Sequence, residues 1–264
     1  MSKIKDIVKK IIRPETEVFK IILFFYRFDI KYWQPRYVEN IAHLLKQYVE
    51  VKQDIFFVQI GSNDGKSGDP IYQYILKHNW RGILVEPVRY LFERLKKNYH
   101  SKKEFLIFEN VAIASSTGSA IFYYLRENND GLRGFYSQIG SFDLDTVMSH
   151  KTAIPNIEDY IVKEEIAAIT FNHLLSKNKI NKVDLVHIDA EGYDYEIIKT
   201  IDFQKTRPDI ILFESKHLVN EDYKQCVKLL KKNGYVAYKN NIDTIAIQRS
   251  RAKNIDVKTK FYLR

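Results

Sequence analysis

Apolar positions change their period about a fifth of the way along the chain. Ile4, Ile7, Val8, Ile11 and Ile12 recur at helical spacing with lysines opposite, and Pro14 ends that run. The stretch 15–28 is apolar nearly all round, the pattern of a helix buried or inserted at an interface. Tyr37, Ile41, Leu44, Leu45 and Tyr48 keep a 3.6-residue period and predict a third helix. From Ile55 onward, short apolar runs alternate with helical patterns. Residues 55–60, 82–85, 105–114, 166–169, 183–188 and 209–214 read as strands, with 120–125 as a short added strand. A pair at 235–238 and 244–247 closes the pattern, turning at Asn240-Asn241. Helical faces recur through Ile71, Ile75 and Leu76, and through Val88, Leu91, Phe92, Leu95 and Tyr99. They return after Thr170, at Ile197 and Ile198, and along Tyr223, Cys226, Val227 and Leu230. Such alternation predicts an α/β fold: a mostly parallel sheet with helices on both faces.

The stretch 126–165 departs from this alternation. It is polar, carries Asn128-Asn129-Asp130-Gly131, Gly134, Gly140 and Pro155, and shows one short helical pattern near 141–149. An insertion of that length in a compact domain reads as a lid or binding loop. The predicted organisation is an N-terminal helical extension at 1–50, a sheet domain at 51–250 containing the 126–165 insertion, and a basic tail at 251–264.

Four strand ends carry polar groups: Gly61 to Asp64, Glu86, Asp189 to Glu191, and Glu214. Parallel strands bring all four to one edge of the sheet, where open α/β folds bind ligands. Gly61-Ser62-Asn63-Asp64-Gly65 follows an apolar strand, and Asp69-Pro70 looks like a helix start. Glu86, at the end of the next strand, suits both ribose hydroxyls of a nucleoside. The NAD fingerprint needs a glycine where Asn63 stands, and no phosphate-loop motif is present. A nucleoside cofactor without a pyrophosphate fits better.

Charge and cysteine content narrow the setting. The 264-residue chain carries a formal net charge of +9, with Lys and Arg dense at both ends. That balance favours anionic partners: a membrane surface, an acidic substrate or nucleic acid. One cysteine, Cys226, excludes an internal disulfide and a cysteine-based zinc site, and suits a cytoplasmic protein. The apolar run near 18–26 is too short to span a bilayer. With the basic helix before it, it suits either peripheral contact with anionic lipid or packing in a homodimer.

Several of these segments together resemble the FkbM family of S-adenosylmethionine-dependent methyltransferases. Gln59-Ile60-Gly61-Ser62-Asn63-Asp64-Gly65 is similar to its first motif, and Val85-Glu86-Pro87 to its second strand end. Asn110-Val111-Ala112-Ile113-Ala114 with Gly118 is similar to its third segment. His187-Ile188-Asp189-Ala190-Glu191-Gly192-Tyr193-Asp194 resembles its most distinctive motif, and Leu212-Phe213-Glu214 also fits. Gln59 stands where the family usually has Asp, and His187 where Lys is common.

The resemblance implies a class I (Rossmann-like) methyltransferase fold and O-methylation of a sugar or natural-product hydroxyl. It implies that Gln59, Gly61, Ser62, Asn63, Asp64, Gly65, Glu86, Asn110, Val111 and Asp189 form the S-adenosylmethionine site. In that picture Gly61 and Gly65 admit the cofactor, Glu86 holds its ribose, and Asn110 and Val111 border its adenine. Asp189 is the expected base, with Glu191 and His187 behind it. Asp189, Glu191 and Glu214 also have the oxygen chemistry for Mg²⁺, and spacing leaves the metal open. The expected acceptor is a saccharide or glycolipid. Nucleic acid is the weaker alternative, because the cationic residues gather toward the termini and no Asn/Asp-Pro-Pro-Tyr/Phe tetrapeptide is present. A non-catalytic binding module on the same scaffold is the third reading, against which Glu86, Asp189 and Glu191 argue.

Overall fold

Phe56–Ile60 is an apolar run broken only by Gln59, and it forms strand β2 inside a mixed sheet. The computed structural model describes residues 36–37, 40–127 and 135–253. Around β2 the sheet is built from β1 (Arg36–Tyr37), β3 (Arg81–Val85), β4 (Leu106–Glu109), β9 (Leu185–Ile188), β10 (Ile210–Glu214), β11 (Tyr235–Lys239) and β12 (Asp243–Gln248). Their order is β1-β11-β12-β10-β9-β2-β3-β4. Strands β4, β3, β2, β9 and β10 are parallel, and β12 runs antiparallel to β10 and β11. This is the class I methyltransferase arrangement. Because β3, β2, β9 and β10 are covered on both faces, each reads as a nearly continuous apolar run.

Helices cover both faces. On one side lie α1 (Ile41–Val51), α2 (Tyr72–His78) and α3 (Arg89–Asn98), which bury Leu44, Leu45, Ile75 and Leu95 against Phe57, Leu185 and Leu212. On the other lie α5 (Phe171–Lys177), α6 (Asp194–Lys199) and α7 (Asn220–Lys232). Phe171, Leu174, Ile197, Cys226 and Leu230 pack there against Val58, Val186 and Ile211. Side-chain caps define several helix starts. Asn40 accepts from the His43 N–H at 3.1 Å and Thr170 from the His173 N–H at 3.1 Å, each contributing about 1 kcal/mol. None of the described helices is long and apolar enough to cross a membrane.

A second sheet, ordered β5-β8-β6-β7, rises beside the first. It contains β5 (Ala112–Ile113), β6 (Gly118–Leu125), β7 (Gly140–Ser141) and β8 (Ile161–Ile169), and the short helix α4 (Leu144–Met148) follows β7. The predicted single strand at 105–114 therefore breaks at Asn110-Val111, where the chain leaves one sheet for the other. The expected loop at 126–165 ends inside β8, which pairs with β6 along its whole length, from Leu125 opposite Ile161 to Gly118 opposite Ala168. Lys163, Glu164 and Glu165 make that strand look polar because its outer part faces solvent.

Tyr37 corrects the N-terminal reading. It lies in β1, paired with Lys239, and not in the helix whose period it continues. A strand therefore precedes α1, and the unit that carries the sheet begins at Arg36. The helix at 41–51 packs on that sheet and is part of its core. The two helices expected within 1–28, and the tail beyond Lys253, lie outside the described residues.

Candidate active site

The carboxyl ends of β2, β3 and β9 open into a cleft. Gly61, Asn63, Glu86 and Asp189 line it together with the apolar Leu91, Val111 and Ile113, and the second sheet and its connections add Phe122, Ile139 and Phe142. Phe122 and Phe142 meet edge to face with centroids 5.2 Å apart.

The loop after β2 is held from below. The Gly61 and Ser62 N–H groups donate to the Val85 carbonyl at 3.1 and 2.9 Å, and the Ser62 hydroxyl donates to the Gln59 carbonyl. Asp64 accepts from the Lys66 and Ser67 N–H groups and the Ser67 hydroxyl, so it shapes the turn. Gly61 (φ +73°) packs against the next strand: a methyl group there would overlap the Asp189 carbonyl oxygen. At Gly65 it would overlap the Leu95 and Tyr99 side chains. These glycines let the loop sit on its neighbours, a different use from admitting the cofactor, although Gly61 also lines the cleft. Asn63 (φ 54°) and Glu191 (φ 46°) are non-glycine residues in the left-handed region, a strain that concentrates at functional sites.

Glu86 is 4 % exposed and, among the described residues, forms no ion pair. Its Oε2 accepts from the Asn63 N–H and its Oε1 from the Val88 N–H, both at 2.8 Å. Burial, opposed by those two bonds and helped by the charge of Asp189, pushes its carboxyl up to about 7. Each oxygen keeps a lone pair for a ligand hydroxyl. Asn110 points elsewhere: its Nδ2 donates to the Glu86 and Pro87 carbonyls at 2.8 and 2.9 Å, and so fixes the segment that carries Glu86. Val111 lines the cleft.

Asp189 follows β9, its N–H bonded to the Ile60 carbonyl at 3.0 Å. Its side chain is reached by solvent but recessed among protein atoms. Poor hydration there, with the charge of Asp243, raises it to about 6. Glu191 is pushed up to about 7, and Glu214, at the end of β10, to about 8, in both cases by burial first and by neighbouring carboxylates second. Asp194, fully buried at the start of α6, takes the Glu214 N–H on Oδ1 at 3.2 Å and is raised well above the carboxylate range by burial and by these same neighbours.

His187 and Gln59 do not reach the cleft. They project from the opposite face of the sheet, where Gln59 Nε2 lies 3.1 Å from His187 Nδ1. Both are buried, and burial drives the imidazole down to about 4, so it is neutral and shielded from any acceptor. That removes His187 as a base and Gln59 as a direct contact. Ser62, Asp64 and Gly65 likewise support the loop without lining the cleft.

Two histidines that the motifs do not include complete the site. His217 Nε2 is 3.3 Å from Glu191 Oε2 and 3.7 Å from Glu214 Oε2, yet neither oxygen has a hydrogen-bond partner. Burial, Lys216 and His150 lower the His217 imidazole from its ordinary value, which disfavours an ion pair here. His150 comes from the inserted segment, its ring centroid 5.9 Å from that of His217. The one signal in the sequence for His217 is its position three residues after a strand-end carboxylate.

Residues 59–237 match the methyltransferase FkbM domain. The chain belongs to the FkbM methyltransferase family. The match runs from Gln59, near the end of β2, to Ala237 in β11 and includes every residue that lines the cleft. No curated protein matches the chain. Among solved structures it is similar to methyltransferase FkbM from Methylobacillus flagellatus KT, at 12% identity and TM-score 0.44, covering 74% of this chain and 44% of that one. It is also similar to the O-methyltransferase from Bacillus cereus in complex with SAH, at 9% identity and TM-score 0.40, covering 93% and 97%. A third likeness is to precorrin-6y C5,15-methyltransferase from Geobacter metallireducens GS-15, at 11% and 0.38, covering 76% and 88%. The family assignment rests on the domain match.

Proposed function

We propose that this FkbM-family chain transfers a methyl group from S-adenosylmethionine to a hydroxyl of a saccharide, glycolipid or similar natural product. The observation that carries the reading is Glu86. A buried carboxylate, in no ion pair among the described residues and already oriented by two backbone N–H groups, faces a cleft with a largely apolar lining. A ribose diol matches its free lone pairs, and Leu91, Val111 and Ile113 suit the faces of a purine.

S-adenosylmethionine supplies an electrophilic methyl on a sulfonium, which leaves as a neutral thioether. The chain supplies orientation and a proton acceptor. Asp189 and Glu191 share the cleft with Glu86. Asp189 would take the proton of the acceptor hydroxyl during methyl transfer. Phe122 and Phe142 offer apolar surface to the face of a sugar ring.

A tritiated methyl donor, presented with panels of sugars, glycolipids and RNA fragments, tests the proposal. Label in a base-stable ether on a sugar or glycolipid is the expected result. Label on RNA alone would move the acceptor to nucleic acid, and label on none of the panels would count against transferase activity on these classes.

A further inference from the structure

His150, Glu191 and His217 each present a ligand atom within 4.8 Å of the others, and Asp189, Glu191 and Glu214 form a second such group that shares Glu191. His150 Nε2, Glu191 Oε2 and Glu214 Oε2 are all buried and without hydrogen-bond partners, although such atoms are costly to leave unsatisfied. Beside them Asp194 is fully buried with Oδ2 unpartnered, and it feels the charges of Asp189, Glu214 and Glu191. Lys216 is the nearby cation. It is exposed and, among the described residues, forms no ion pair with Glu191 or Glu214.

We infer that His150, Glu191 and His217 bind one divalent first-row transition ion of the zinc and cobalt class. Two imidazoles offer nitrogen donors and the Glu191 carboxylate offsets part of the ion's charge, the three-ligand pattern of an open transition-metal site. Mg²⁺ prefers an all-oxygen shell that keeps several waters, so the histidines select against it. The ion fills the role of the missing hydrogen-bond partners of His150 and Glu191. It also ties the inserted segment, through His150, to the ends of β9 and β10. Its consequence for catalysis rests on the methyltransferase reading. Glu191 also lines the cleft, so the ion stands where it lowers the pKa of an acceptor hydroxyl whose proton Asp189 receives.

The test is calorimetric titration of the full chain, stripped with EDTA and dialysed, with Zn²⁺, Co²⁺ and Mg²⁺ in turn. S-adenosylhomocysteine is titrated into the same samples. One Zn²⁺ or Co²⁺ per chain is expected, bound at least about 10-fold more tightly than Mg²⁺, with visible Co²⁺ absorption bands of a nitrogen-containing site. His150→Ala and His217→Ala should each weaken Zn²⁺ by at least about 10-fold, since loss of even an outer partner costs about 10–100-fold. Retained nucleoside binding in those variants shows that they fold. Nucleoside binding without transition-metal binding, equal affinity for Mg²⁺, or unchanged Zn²⁺ affinity in both folded variants would overturn the site. Metal binding without nucleoside binding would uphold the site and count against the donor assignment instead.

Discussion

Strands β9 and β10 each run from one carboxylate to another, and the two ends are treated in opposite ways. At their amino ends, Asp184 and Asp209 are bound to cations. Lys52 Nζ lies 2.6 Å from Asp184 and 3.0 Å from Asp209, Arg251 Nε lies 3.1 Å from Asp209, and the Tyr48 hydroxyl donates to Asp209 at 3.0 Å. Burial pushes Asp209 up, but Lys52, Tyr48 and Arg251 outweigh it and hold the group below the usual range. At the carboxyl ends, Asp189, Glu191 and Glu214 crowd together without such partners and are all raised. The lower edge ties α1 and the last described helical turn, α8 (Arg249–Ala252), to the sheet. At the upper edge, charge stays uncompensated, the condition under which a carboxylate takes a proton, a hydroxyl or a metal ion. The same residue types thus serve stability at one edge and chemistry at the other.

The largest expected effect separates the two edges by substitution. Asp189→Asn should lower turnover on the order of 10²-fold or more while leaving the melting curve and nucleoside affinity near wild type. Near-wild-type turnover in this variant removes Asp189 as the base. Asp209→Asn should do the reverse. Loss of charge-assisted bonds to Lys52 and Arg251 costs about 1.5–3 kcal/mol of stability in urea titrations, with turnover per folded molecule unchanged. Equal effects on stability and turnover in both variants would erase the distinction.

A smaller effect concerns pH. Glu86 titrates at about 7 when folded, against an ordinary 4.5. A carboxyl raised on folding contributes stability that is fully present below about pH 4.5 and is lost as pH rises through about 7. Unfolding free energies should therefore fall across that window, and Glu86→Gln should flatten the slope. Cofactor affinity should move the other way, growing as the carboxylate forms. An identical slope in the Gln variant would place the proton elsewhere.

Much of the upper edge was legible because buried parallel strands read as apolar runs, and their polar ends stand out against them. Gly61, Asn63, Glu86, Asp189 and Glu191 stand at such ends and line the cleft, and Val111, which only the family resemblance pointed to, lines it too. The pattern could not tell which face a strand residue takes until the neighbouring helices were in place. Gln59 and His187 were therefore assigned to the site although they pack on the other side. Strand β8 hid behind Lys163, Glu164 and Glu165, since a solvent-facing strand and a polar loop have similar composition. His150 and His217 come from irregular segments with no period, and only the fold brings them to Glu191.

The central claim is that the upper edge holds S-adenosylmethionine through Glu86. Calorimetric titration of the cofactor into the wild-type chain and Glu86→Ala tests it most directly. The account predicts one site per chain in the wild type and a loss of about 1.5–3 kcal/mol in a variant that still melts cooperatively. No binding to the wild type, or unchanged affinity in the folded variant, would contradict it.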